Sequence, residues 1–331
     1  MVIDEVASER SVAGERSDAG ERSDAGKRSV AAKPAVRTAD AAAANPMPQR
    51  SPGVAAMLQL LRMPRALFGL VVLGLILLTA LLADVVAPFQ PDEMDFDRLL
   101  GGISPTHWLG ADQLGRDTLS RLIHGSRVAL IVSLGGIGLG VLIGVPLGLA
   151  SVYLRGWVDD LLMRAMDALT VFPGILIAVA LAATMGASLV TVILAIGIAT
   201  VPWMARVVRA QGLSVREQDY VAAAVAGGMS AWRIVVKHIF PHTVAPVVVQ
   251  ATLGMGYAVL AEAALGFIGV GVQSPTPTWG NMLQEAFPLL QQQPLLSIVP
   301  GIAIFLLVLA FNFFGDALRD VLDPRLRGIV H

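Results

Sequence analysis

Residues 128–154 read VALIVSLGGIGLGVLIGVPLGLASVYL, twenty-seven positions between Arg127 and Arg155 without one charged side chain. A helix rises 1.5 Å per residue, so this run exceeds the ~20 residues needed to cross a ~30 Å hydrocarbon layer. Gly136, Gly140, Gly144 and Gly148 recur within it every four residues. That period places four positions without side chains on one helix face, a seam along which a second helix can approach closely. No strand precedes these glycines, and Ile143 stands where a dinucleotide fingerprint needs its third glycine, so packing is their reading.

Outward from this span the same composition repeats. The chain has 331 residues, 55% hydrophobic and 15% charged, with a mean hydropathy of +0.69, outside the range of soluble domains. Spans are expected at about 66–87, 128–154, 160–184, 188–208, 243–270 and 296–316, giving an all-α integral membrane protein of six helices. Residues 1–60 differ: ERSVAG, ERSDAG and ERSDAG follow one another from Glu9 to Gly26. This repeat has almost nothing to bury and is expected to form a disordered tail, leaving 61–331 as the membrane domain. Lys and Arg cluster in 154–160, 209–242 and 317–331 and are absent from 184–188 and 271–295. By the positive-inside rule both termini are expected in the cytoplasm, although Arg98, Arg116, Arg121 and Arg127 in the longer 88–127 segment weigh against it.

Absences narrow the chemistry. With no cysteine there is no disulfide, thiolate ligand or cysteine nucleophile. The three lysines, Lys27, Lys33 and Lys237, are followed by Arg28, Pro34 and His238, so no phosphate-binding loop exists. His238 and His242 stand four apart but enclose Pro241 and lack the Glu of a zinc-helix motif, so no metal site is expected. No catalytic residues and no nucleic-acid-binding face are found. Two charges lie at membrane depth. Glu262 is read as lining a pathway or pairing helices; Asp167, three residues from Arg164, is expected to pair with it locally. Pro146, Pro173 and Pro202 are candidate kinks.

The largest inner loop, 216–241, reads REQDYVAAAVAGGMSAWRIVVKHIFP. Its alanines favour a helix, Gly227 and Gly228 break it, and Ser230 is placed to cap a second helix that Pro241 stops. Two short helices projecting from the membrane form a docking element. The segment resembles the EAA loop of binding-protein-dependent ABC importers: Ala223, Ala224, Gly228 and Pro241 match at the right spacing. Ala222 stands where that family carries Glu, and His238 where it often carries Ile.

Residues 107–127 (HWLGADQLGRDTLSRLIHGSR), 157–173 (WVDDLLMRAMDALTVFP) and 262–283 (EAALGFIGVGVQSPTPTWGNML) are, with 216–241, similar to dipeptide/oligopeptide/nickel permeases of the DppC/OppC type. The resemblance covers roughly 62–328. It implies a type I importer permease in the bacterial inner membrane, working in the lipid bilayer with a homologous DppB-like permease, two ATPase subunits and an extracytoplasmic substrate-binding protein. ATP and Mg would be bound by the ATPases, with no cofactor in this chain. It assigns coupling to the ATPases to Arg216, Glu217, Asp219, Tyr220, Ala222, Ala223, Ala224, Gly228 and Pro241, and peptides as cargo, with nickel or haem as alternatives. Trp108 and Trp279 are expected to anchor at the membrane interface. A secondary transporter working alone would instead show internal repeats and several embedded charges, and the sequence has neither.

Overall fold

The computed structural model describes residues 60–322. The expected tail, with its repeat, and residues 323–331 lie outside the described residues. Within them the chain is helical, apart from one antiparallel bridge between Ala111 and Asp117.

The helices are α1 (Pro64–Leu81), α2 (Ala83–Val86), α3 (Thr118–Leu154), α4 (Trp157–Val171), α5 (Gly174–Met185), α6 (Leu189–Arg216), α7 (Asp219–Ala226), α8 (Ala231–Ile234), α9 (Phe240–Ile268), α10 (Trp279–Ala286) and α11 (Leu295–Leu322). α1, α3, α6 and α11 are each long and apolar enough to span a membrane, as is the continuous stretch Ala231–Ile268; α4 and α5 together make a sixth candidate.

α3 and α6 approach closely along a line of four glycines. A Cβ on Gly136 would lie 2.8 Å from Ile196, on Gly140 2.7 Å from Thr200, on Gly144 2.8 Å from Met204 and on Gly148 2.6 Å from the Ala205 carbonyl oxygen. The partner numbers rise with the glycine numbers, so α3 and α6 run parallel along this line. The other long pairs are antiparallel. Gly69 faces Ala310 and Phe314, and Gly256 faces Phe311; Leu60 and Ala66 pack with Ala317 and Val321. Residues 60–63, 155–156, 217–239 and 317–322 therefore gather at one end of the bundle, the hairpin end. Residues 82–117, 186–188 and 269–294 gather at the other, the cap end.

One expected span is corrected. The span at 160–184 is not one helix, because α4 and α5 meet at an 81° bend. Phe172 is extended (φ −80°, ψ 119°), as the residue before a proline tends to be, since the Pro173 ring crowds the helical alternative. Pro146 and Pro202 lie inside continuous helices, on the two elements the seam holds together. The helix that carries the 128–154 stretch begins ten residues earlier in polar sequence, where Asp117 caps α3 by accepting from the Ser120 N–H at 2.7 Å.

Pro241 does not stop a helix. The chain passes from α8 through a π turn, Val235–Ile239, into α9, with Pro241 in the first turn of α9. The Phe240 N–H bonds to the Val235 carbonyl, a five-residue step that widens the helix where a proline would otherwise meet the preceding turn. Ser230 sits at the start of α8, but its side chain makes no capping bond.

Candidate functional site

The hairpin end carries a short helix with little reason to fold alone. In α7 only Val221 is buried. Glu217, Asp219, Tyr220, Ala222, Ala223, Val225 and Ala226 are exposed, and Ala224 is half-buried. Eight residues cannot hold a helix in water by propensity, so anchoring falls to its ends and its one buried face. Val221 joins Val152, Val215, Ile234, Val235 and Ile239 in a small apolar cluster against the ends of α3 and α6. At the other end the chain closes a Schellman turn: Met229 N–H bonds to the Ala224 carbonyl (3.1 Å) and Gly228 N–H to Val225 (3.0 Å). Gly228 sits at φ +78° with open space where a side chain would point. Glycine is required there by the backbone and not by crowding. Arg216, at the end of α6, donates to the Val152 carbonyl at 2.9 Å, filling an acceptor left over at the end of α3. Tyr220 lies beside both His238 and His242, at ring separations of 6.0 and 6.2 Å.

Near the hairpin end the helices of the bundle are also tied to one another by charge. Arg209 on α6 grips Asp159 on α4 with two hydrogen bonds of 2.7 Å, and Ser151 on α3 donates to the same carboxylate. Asp167 pairs with Arg206 on α6 at 3.2 Å, not with Arg164 on its own helix as the spacing predicts. A neighbouring helix offered better geometry than the three-residue step.

Glu262, on α9, is 1% exposed, and its Oε1 has no hydrogen-bond partner. One turn further on, a Cβ on Gly266 would lie 3.0 Å from the Gly280 backbone, so this stretch of helix is wedged against the start of α10.

The cap end holds the group that reading the sequence missed. Arg116 and Arg121 are both 1% exposed. Arg116 Nε donates to Asp112 (2.7 Å) and its Nη2 to Glu285 (2.7 Å). Arg121 Nη1 reaches both Asp112 and Glu285. Two cations and two carboxylates thus form a closed, buried square. It joins the segment before α3 to α10, more than 160 residues away. Beside it, His107 Nδ1 bonds to Asp117 at 2.8 Å and stacks on Phe89 at 4.7 Å. The sequence shows only charges in a polar loop, and their separation hides the pairing. Trp279, expected at the membrane interface, is buried and donates through Nε1 to the Leu122 carbonyl at 3.0 Å; Trp108 is exposed. Among the described residues no group of three or more His, Asp or Glu is placed to hold a metal ion.

Residues 136–328 match the family described as binding-protein-dependent transport system inner membrane component. The chain belongs to that family. Residues 51–101 also match the N-terminal TM domain of oligopeptide transport permease C. The chain is 40% identical to the dipeptide transport system permease protein DppC of Alkalihalophilus pseudofirmus over 84% of its own length and 91% of that protein's. It is 42% identical to the glutathione transport system permease protein GsiD of Pectobacterium atrosepticum, over 78% and 86%. In fold it is similar to a chain of the MetNI methionine ABC transporter in an inward-facing conformation, with a TM-score of 0.53, 20% identity, and coverage of 61% of this chain and 97% of that one. This multi-pass membrane protein therefore has the type I importer fold and is an inner membrane component of binding-protein-dependent transport.

Proposed function

We propose that this permease carries peptides across the bacterial inner membrane as one half of a heterodimeric channel, driven through α7 by separate ATPase subunits. The observation that carries the reading is α7 itself: a helix held by one buried valine and a glycine turn, presenting exposed alanines and a valine away from the bundle. A surface of small apolar side chains on a projecting element is suited to entering a groove in a soluble partner. Arg216, Glu217, Asp219 and Tyr220 flank it, with Ala222, Ala223 and Ala224 on the helix and Gly228 shaping its end. Pro241 starts the helix that leads back into the membrane. ATP and Mg belong on this reading to the partners, as no phosphate-binding loop occurs in this chain.

Orientation with the hairpin end in the cytoplasm is supported by the basic residues there, Arg155, Arg216, Arg233 and Lys237; the cap-end arginines are each held by a carboxylate. Arg116 and Arg121 are neutralised in the buried square, Arg127 is paired with Asp84 at 3.0 Å, and Arg98 lies 3.7 Å from Asp95. At the cap end the guanidinium of Arg127 also holds the Asp84 carboxyl below its ordinary range.

The pathway is assigned to the α4–α5 elbow. Its Val171, Phe172, Ile175 and Leu176 are exposed. A broken helix leaves backbone groups free, which is tolerated at membrane depth only against protein or water and not against lipid. That favours a second permease facing the elbow, with the substrate passing between. Peptide cargo is supported by the dipeptide and glutathione permeases among the relatives, glutathione being a tripeptide; nothing comparable favours nickel or haem.

The chain contains no cysteine, so Ala223→Cys introduces a unique thiol for cross-linking. In membranes carrying the assembled transporter, a short bifunctional reagent is expected to join it to an ATPase subunit. Cross-linking to the binding protein instead, or modification only from the extracytoplasmic side, would overturn both orientation and coupling.

A further inference from the structure

Arg121 has five N–H donors, and the buried square uses only the two on Nη1. Its Nε and Nη2 are buried and have no hydrogen-bond partner within the protein, and the same is true of Thr118 Oγ1. These side chains do not face separate voids. Thr118 and Arg121, one turn apart at the start of α3, line a single cavity of about 20 Å³ together with Asp112, Glu285, Met282 and Leu289. A water molecule needs roughly 10–15 Å³ and two to four polar partners.

We infer that this cavity is the binding site of one ordered water, which accepts from the Nε–H and Nη2–H edge of Arg121 and donates to the Thr118 hydroxyl. The Nε and Nη2 hydrogens of a guanidinium project side by side, so one oxygen can take both. Charge selects water over an ion. The two arginines are already matched by two carboxylates that share the cavity wall. An anion would meet those carboxylates, and a cation would meet Arg121. The site also lies where α3, α10 and the segment leading to α11 converge. The water then links the first turn of α3 to the square without a fixed side-chain contact, completing the polar core of the cap.

The test is a map of the assembled transporter at a resolution that shows solvent, by cryo-electron microscopy or crystallography, on the unmodified protein and on Thr118→Val and Thr118→Ser. One peak within hydrogen-bonding distance of Arg121 Nε, Arg121 Nη2 and Thr118 Oγ1 is expected. Thr118→Val keeps the shape of the side chain and should lose the peak, with a melting temperature lowered by about 2–4 °C; Thr118→Ser should restore both. A featureless cavity in the unmodified protein, a peak indifferent to Thr118→Val, or a peak that exchanges for bromide by anomalous scattering overturns the assignment.

Discussion

Two substitutions of the same kind on the same helix are expected to act in opposite directions. Gly148→Ala would place a methyl 2.6 Å from the Ala205 carbonyl oxygen and 2.7 Å from Val208 Cβ. The first of these is backbone and cannot rotate away, so α3 and α6 must part by something near 0.7 Å at that level. A gap of 0.5–1 Å forfeits roughly a quarter to a half of each dispersion contact across it, and overpacking of this kind costs about 1–3 kcal/mol. Against this stands the gain of about 1 kcal/mol from replacing glycine by alanine within a helix. The net effect is a loss of up to about 2 kcal/mol. Gly138→Ala, ten residues earlier, meets nothing within 4 Å and keeps only the gain. The gain is common to both, so the two variants should differ by the overpacking cost, roughly 1–3 kcal/mol, or about 2–12 °C at ~2–4 °C per kcal/mol for a domain of this size. Thermal unfolding of the purified transporter, followed by tryptophan fluorescence, measures it. A Gly148→Ala transporter as stable as Gly138→Ala would refute the close seam.

Other residues give equally specific outcomes. Glu285→Gln removes one of two carboxylates from a square holding Arg116 and Arg121; the uncompensated buried charge should cost about 2–4 kcal/mol, read as a lowered melting temperature that Glu285→Asp partly restores. Gly228→Ala forces an L-residue to φ +78° and should cost about 1–2 kcal/mol in the hairpin, depressing ATP-driven uptake. Gly227→Ala, at φ −73°, should leave uptake unchanged. Trp279→Phe keeps the apolar bulk but loses the bond to the Leu122 carbonyl, at a cost of about 1–2 kcal/mol measurable in the same unfolding assay.

What could be read in advance follows the range over which each interaction acts. The glycine seam was legible because one helix carries its whole pattern at a four-residue period. The turn at Gly227–Gly228 was legible because a left-handed residue is demanded locally. Proline was ambiguous: Pro146, Pro173 and Pro202 look alike in sequence, yet Pro173 lies at a break between two helices and the others inside continuous ones. The first and third sit on helices clasped along the seam, whereas α4 and α5 lack so long a partner. Pro241 misled for the opposite reason, as a π turn before it removed the conflict that would have ended the helix. The buried square lay beyond reach altogether. Arg116 and Arg121 read only as loop charges, and nothing in local sequence selects Glu285 as their partner.

These two classes of contact divide the protein mechanically. The seam, the Arg209–Asp159 bond and the Ser151 contact make α3, α6 and the start of α4 one body at the hairpin end. α7 is joined to that body by Val221 and its neighbours, with the Arg216 bond to the Val152 carbonyl beside them. On the coupling proposed above, a push on α7 cannot be absorbed by sliding α3 against α6, because glycine-to-backbone contacts leave no slack. It has to move both together, and the compliant element is the α4–α5 elbow, where the helix is already broken. Force applied at a pendant eight-residue helix would then appear as a change of angle at Phe172 and Pro173, beside the surface assigned to the substrate. The cap-end square lies off this route, which explains how it can be rigid without opposing the motion.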